Sequence, residues 1–334
     1  MRINFKKFLK MILIILLFFL LIFVLYFFIG FPKETENITW GVNFSQKHAQ
    51  DLGLDWRETY LALLDDLGAK NIKIAVHWDF IEGKEGEYYF GDLDWQIEEA
   101  EKRKTEIILV IGMKTPRWPE CHIPEWAVDL GKEQQQEAVL RLIKEIVLHY
   151  QNSDTIKYWQ VENEPFFSFG KCPSFDRKML KKEIDLVKSL DSRKRPVIVS
   201  ESGEFSTWTK AARAADIVGI TMYRRVWSKE FKTYITHIFS PTFYHRKALI
   251  INKIFGKEVI CIELQAEPWG PKLLYDLSLE EQEKSMDFNR FQKNIEFAKK
   301  TGIKEFYLWG AEWWYWMKTT QNKSEIWEEA KRLF

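Results

Sequence analysis

From Asn37 onward, short runs of β-branched and aromatic residues alternate with longer stretches whose apolar positions recur every three or four residues. The first kind reads as strands and the second as amphipathic helices. Eight strands follow, over residues 38–44, 72–78, 106–112, 156–163, 197–201, 217–223, 258–264 and 305–309. The intervening helices have readable ends. Asp55 is placed to cap a helix that stops at Gly68, and Ser278 with Glu281 has capping-box spacing ahead of a long helix that stops at Gly302. Within residues 134–150, Ala138, Leu142 and Ile146 give one face to pack on the strands. This cadence predicts an α/β fold, a (β/α)8 TIM barrel, with one catalytic domain over residues 39–334. The stretch 228–256, between strands six and seven, is long for a crossover and is expected to form a lid or an added helix.

Ahead of the barrel the pattern changes. Arg2, Lys6, Lys7 and Lys10 precede residues 11–31, which carry no charge and almost no polar atom. Roughly 20 apolar residues at ~1.5 Å each span the ~30 Å hydrocarbon core of a bilayer. The run is longer and bulkier than the apolar region of a cleaved signal and ends without small residues at a cut site. It predicts an uncleaved transmembrane helix, with residues 1–10 as a cytoplasmic basic flank and 32–38 as a tether. The positive flank places the barrel on the extracytoplasmic side of the cell membrane. The lipid bilayer is therefore one expected partner, and the oligomeric state is left open.

Composition narrows the partner for the barrel. Lys+Arg (49) and Asp+Glu (48) balance, so no large cationic field exists to hold nucleic acid. Tryptophan is abundant, with 15 residues. Trp56, Trp159 and Trp327 suit the core, whereas indole faces around a cleft stack on the apolar faces of sugar rings. The three cysteines show no Cys-x-x-Cys pair, and the six histidines do not cluster, so no metal or other cofactor is expected.

In this fold, active sites lie at the C-terminal ends of the strands. Strand four ends at Asn163-Glu164-Pro165, and strand seven carries Glu263 near its end. Alternation along strand seven puts Ile260, Ile262 and Leu264 on one face and Cys261, Glu263 and Gln265 on the other. The apolar face is expected to meet the outer helices, leaving Glu263 in the lumen at the rim with Cys261 beneath it. A carboxylate in a buried parallel strand is costly unless it is bonded and used. The plain alternative for either glutamate is a solvated strand-end residue. Glu267, which also precedes a proline, is the rival within strand seven's loop.

The strand-four end at Asn163-Glu164-Pro165, the strand-seven Glu263 and the eight-unit cadence resemble the clan A glycoside hydrolases, which include families 5, 39 and 42. The resemblance covers residues 39 to 316. It implies that Glu164 is the general acid/base and Glu263 the nucleophile. It further implies that Asn163 bonds the sugar 2-hydroxyl, Tyr223 holds the nucleophile and Trp309 floors the subsite at the scissile bond. Trp78 through Glu82 and Pro116 through Glu120 resemble loops of this clan, adding Trp78 and Trp118 as substrate contacts. One departure is Lys73, which stands where many members carry an arginine. Lysine supplies charge without a bidentate fork, so His77, on the same face, is a candidate to share that role, with a buried histidine holding one satisfied nitrogen as the equal alternative.

The expected activity is hydrolysis of a β-linked oligosaccharide, polysaccharide or glycoside by double displacement. Trp118, Trp126, Phe166, Trp208, Trp227, Trp269 and Trp313 are candidate cleft walls. Cys121 and Cys172 follow strands three and four on the same barrel face, where adjacent loops allow either a disulfide outside the cell or two free thiols. Two rivals stand beside the hydrolase: a catalytically silent carbohydrate-binding barrel on the cell surface, and a metal-dependent barrel hydrolase. The sequence leaves sugar, linkage and endo or exo cleavage open.

Overall fold

The computed structural model describes residues 5–30, 32–173 and 176–334. Its strands are β1 (Thr39–Phe44), β2 (Asn71–Ala75), β3 (Glu106–Ile111), β4 (Ile156–Val161), β5 (Val197–Glu201), β6 (Ile217–Met222), β7 (Arg225–Ser228), β8 (Thr233–Thr236), β9 (Glu258–Gln265) and β10 (Glu305–Trp309). All but β7 and β8 close into a parallel barrel in the order β1-β10-β9-β6-β5-β4-β3-β2. The eight expected strands are these eight, with ends shifted by at most a few residues. Every residue of β5 and β6 is buried, as a parallel strand covered on both faces requires.

Residues from five strands meet in the lumen. Ile108, Ile198, Ile217, Ile260, Ile262 and Tyr307 form a cluster distinct from the shell between barrel and helices. Gly41 makes room for one of them, since a Cβ there would lie 2.6 Å from the Tyr307 ring. The shell includes Cys261 and Leu264 from β9, together with helix residues such as Leu142, Ile146 and Trp327. This corrects the expected facing of strand seven: Ile260 and Ile262 point inward, and Cys261 points outward. The cause is a bulge. Along β6 the register steps from Ile220↔Cys261 to Thr221↔Glu263, and against β10 it shifts over the same stretch. An extra residue reverses which face the following side chains take, and so Glu263 enters the lumen.

Asp55 accepts from the Arg57 and Glu58 amides and caps Trp56–Asp65. The long helix expected from Ser278 to Gly302 is instead two. Ser278 caps Leu279–Glu283, and Asp287 starts a second helix, Phe288–Lys299. The stretch 228–256 holds the end of an antiparallel hairpin, β7 with β8, and the helix Pro241–Phe255. That helix is the ordinary crossover into β9. The hairpin is the addition.

The first helix, α1 (Phe5–Phe28), is long and apolar enough to cross a membrane, with mean hydropathy 3.3 over its candidate span and none of it buried. Arg2 and Phe31 lie outside the described residues. The tether is not free: Thr35 N–H donates to Lys299 O at 2.7 Å, which fastens it along the barrel's outer face.

Candidate active site

The end of β4 is built on left-handed backbone. Glu162 has φ 62° and Glu164 φ 43°, positions that non-glycine residues occupy only when their surroundings hold them there. Two restraints are visible. The Glu162 carboxylate accepts from the Met113 and Lys114 amides at 2.8 and 2.7 Å, and the Glu164 amide donates to Ser200 Oγ at 2.8 Å. Gly112 (φ 125°) permits the first, because a Cβ there would lie 2.4 Å from Glu162 Oε1. The turn presents the Glu164 side chain to the lumen mouth, where Thr221 Oγ1 donates to its Oε1 at 3.0 Å. Thr221 is the register partner of Glu263 on the neighbouring strand. The two glutamates thus face the same small region from β4 and β9.

Glu263 is held from two sides. Lys73 Nζ, from β2 across the lumen, donates to Oε1 at 2.7 Å, and the Tyr223 hydroxyl donates to Oε2 at 2.8 Å. The Lys73 ammonium is almost entirely buried, and the loss of water lowers its pKa while the Glu263 charge opposes that fall. Burial, joined by the negative charge of Glu263, pushes the Glu164 carboxyl up to about 7. Glu120 is pushed up to about 8, chiefly by burial, and accepts from Asn163 Nδ2 at 3.1 Å. Gln160 Nε2 donates to Asn163 Oδ1 at 3.3 Å, so the Asn163 amide has a fixed orientation.

A second group of carboxylates lies at the outer edge. Arg117, itself in left-handed backbone with φ 86°, bridges Glu267 and Glu312, with Nη2 donating to Glu312 Oε2 at 3.1 Å. Its guanidinium lies 3.8 Å over the Trp309 ring. His48 Nε2 lies 3.5 Å from Glu267 Oε2. Burial works to raise the Glu267 carboxyl, but Arg117 and His48 outweigh it and hold it down to about 2. Glu267 is therefore committed to an ion pair.

A cleft of about 350 Å³ opens here, with Trp118, Glu120, Phe169, Trp269 and Trp309 among its walls. Trp118, Trp269 and Trp309 are thus at the cleft. Trp78 is not. It has no exposed surface, and its indole N–H donates to Glu82 Oε2 at 2.8 Å, which makes it a core residue. Of the two readings open for His77, the geometry matches the buried histidine. Its ring nitrogens pair with Ser45 Oγ at 3.1 Å and Thr115 Oγ1 at 3.2 Å, and burial holds its pKa well below the usual value. It is a satisfied core histidine, and the charge on Glu263 is met by Lys73. Trp208 and Trp313 are likewise buried as packing. Trp126 donates to Glu82 O, Trp227 sits on the hairpin, and Phe166 borders a separate cavity beside the Cys121–Cys172 disulfide. The two cysteine Cα atoms are 5.2 Å apart. Among the described residues, no group of three or more His, Cys, Asp and Glu side chains is arranged to hold a metal ion.

Two contributors escaped the sequence. Thr221 is two positions from Tyr223 on the same strand face, and that spacing was its available signal. The Arg117 bridge joins residues distant in the chain and had none.

A parallel barrel with its polar residues gathered at the strand ends is the architecture of many enzymes, and glycoside hydrolases are among the solved structures that match it. A family 5 enzyme (GH5_18) from Bifidobacterium longum subsp. longum, in complex with Manβ1-4GlcNAc, superposes with TM-score 0.60 at 12% identity, over 81% of this chain and 68% of that one. A β-galactosidase from the psychrophilic Marinomonas ef1 gives TM-score 0.59 at 11% identity, over 89% of this chain and 59% of that one. An endo-β-1,4-xylanase of family 10 from Gloeophyllum trabeum gives TM-score 0.54 at 14% identity, over 82% and 84%. This chain spans under two thirds of the β-galactosidase. At such identities the likeness establishes the fold. No protein-family model matches the sequence. No curated protein matches it either.

Proposed function

We propose that this chain is a retaining glycoside hydrolase of the clan A type, acting on a β-linked glycan or glycoside, with Glu263 as nucleophile and Glu164 as acid/base. The observation that carries this reading is the contrast between two neighbouring carboxyls. The Glu263 carboxylate accepts from the Lys73 ammonium and the Tyr223 hydroxyl, while the Glu164 carboxyl accepts from a single hydroxyl and is pushed up to about 7 by burial and the Glu263 charge. One is prepared to attack and the other to donate a proton.

In the first step a Glu263 oxygen bonds to the anomeric carbon, the glycosidic C–O bond breaks, and the Glu164 proton passes to the leaving oxygen. In the second, Glu164, now ionised, takes a proton from water. The water oxygen bonds to the anomeric carbon and the Glu263 ester bond breaks, giving net retention. Trp309 and Trp269 offer ring faces for the sugar, and Asn163 is set to meet the hydroxyl next to the reacting carbon.

We further propose that α1 anchors the enzyme in the cell membrane, with the basic residues ahead of it in the cytoplasm and the barrel outside. The test is a screen of aryl β-glycosides and β-glycans with the purified chain. Turnover abolished by Glu263→Ala, and a covalent mechanism-based label recovered on the Glu263 peptide, is the expected result. Glycan binding without turnover would replace the hydrolase with a binding barrel. A metal dependence of turnover would also overturn it.

A further inference from the structure

The far end of α1 is not loose against the barrel. Phe27 and Phe28 each pack on Phe243 with ring centroids 5.8 Å apart, and Thr242 Oγ1 donates to Gly30 O at 2.7 Å. Arg246 stacks its guanidinium 4.7 Å from the Tyr26 ring, the pairing of a cation and an amphipathic aromatic that suits the level of lipid headgroups. These partners belong to the first turns of the helix Pro241–Phe255, which runs down into the start of β9. The first turns of that helix are therefore level with the C-terminal strand ends, the face that carries the site. If α1 crosses a bilayer, the bilayer surface meets the barrel at its catalytic rim.

From that point an aromatic path continues along the rim. Phe28 faces Phe239 at 6.5 Å, Phe239 is 6.4 Å from His237, and His237 is 5.2 Å from Phe205. Two large apolar side chains on this path point into solvent: Ile238 is 82% exposed and Phe205 66% exposed. Single exposed apolar residues need no explanation, but these two continue directly from the end of a helix built for lipid. The same path leads to the cleft. His237 follows β8, and Lys229 at the tip of the β7–β8 hairpin lines the cleft, one arm of roughly 13 Å away.

We propose that the rim carrying Phe205 and Ile238 beds into the outer leaflet of the bilayer that α1 spans. This holds the cleft within one hairpin arm of the headgroups, where glycans attached to that membrane reach it. The docking rests on the reading of α1 as a membrane span, the glycan it brings to the cleft rests on the proposed function, and the experiment reads the docking without turnover.

The experiment uses the full chain in vesicles of phosphatidylcholine with one fifth phosphatidylglycerol. Single thiols are introduced by Ile238→Cys, Phe205→Cys, Leu17→Cys and Val128→Cys, and each is labelled with an environment-sensitive dye. Cys121 and Cys172 are bonded and Cys261 is buried, so the new thiol takes the label. Val128 is exposed and follows β3, on the side of the barrel away from α1, and serves as the aqueous reference. Labels at 238 and 205 are expected to be quenched by nitroxide lipids at least about three times more than the label at 128, and to be shielded from aqueous iodide. Lipid quenching at 17 with labels at 238 and 205 matching 128 overturns the docking and leaves the anchor standing. Labels at 238 and 205 shielded from both quenchers mean that protein covers the rim, and that also overturns it. A label at 17 beyond the reach of nitroxide lipids removes the anchor, and the docking falls with it.

Discussion

Two carboxylate clusters share the mouth of this barrel, and they are tuned in opposite directions by what donates to them. In the inner cluster burial, joined by the charge of Glu263, pushes Glu164 up to about 7, and the opposing Lys114 ammonium and Thr221 hydroxyl do not reverse it. In the outer cluster Glu267 is as buried, yet Arg117 and His48 hold it to about 2. Burial raises both carboxyls, so burial does not decide between them. Direct pairing does: Lys114 bonds the backbone oxygen of Glu164, whereas the Arg117 guanidinium bonds the Glu267 carboxylate itself and, with His48, outweighs its lost hydration. The inner cluster thus holds the carboxyl that keeps its proton to higher pH, the one the proposed mechanism uses as acid, while the outer one fastens the loop after β3 to the loop after β9.

If that division is right, substitutions should separate cleanly. Glu263→Ala should lower kcat by at least about 10⁴-fold, and added azide should restore turnover as a glycosyl azide, since a small anion fills the place of the lost carboxylate. Glu164→Gln should cost about 10²–10⁴-fold on substrates with poor leaving groups and much less on activated aryl glycosides, which need no proton. In wild type, kcat/KM should fall as pH rises through about 7, where the acid loses its proton, and that limb should vanish in Glu164→Gln. Glu120→Gln should keep the limb, which separates Glu164 from the other raised carboxyl. Lys73→Met should cost about 10²-fold in kcat, because the Glu263 carboxylate loses the ammonium paired with it at 2.7 Å.

How much of this could be read from the chain varies with the distance over which the residues act. The eight strands and Glu164 at the end of the fourth follow from local runs and from a resemblance carried by adjacent residues. Glu263 was placed in the lumen by simple alternation, yet alternation would have sent Ile260 and Ile262 outward. The bulge at Ile262 and Glu263 breaks the period of two, and nothing in the run Val259 through Leu264 marks where an extra residue is absorbed. Trp78 and His77 lie in the core, away from the cleft walls, for a related reason. Strand two ends at Ala75, before them, so the chain has already turned into the core. The Arg117 bridge depends on loops that meet only in the closed barrel, which a linear pattern does not contain.

The smallest effect, and the one that compares the clusters directly, is on stability against pH. For Glu267 the folded value of about 2 lies below the ordinary 4.5, so the unfolded chain binds the proton first as pH falls. Its stabilisation is therefore present above pH 4.5 and lost as pH drops toward 2. For Glu164 and Glu120 the folded values of about 7 and 8 lie above the ordinary 4.5, so the folded chain keeps protons that the unfolded chain has released. Stability should then decline as pH rises from about 4.5 through 8, by at most about 1.4 kcal/mol per pH unit for each group. Thermal unfolding from pH 3 to pH 9 reads both slopes. Glu267→Gln should flatten the acid side alone, and Glu164→Gln should lessen the decline on the alkaline side alone. A change on the wrong side in either variant would mean that the clusters are one electrostatic unit, and the division of labour between them would fail.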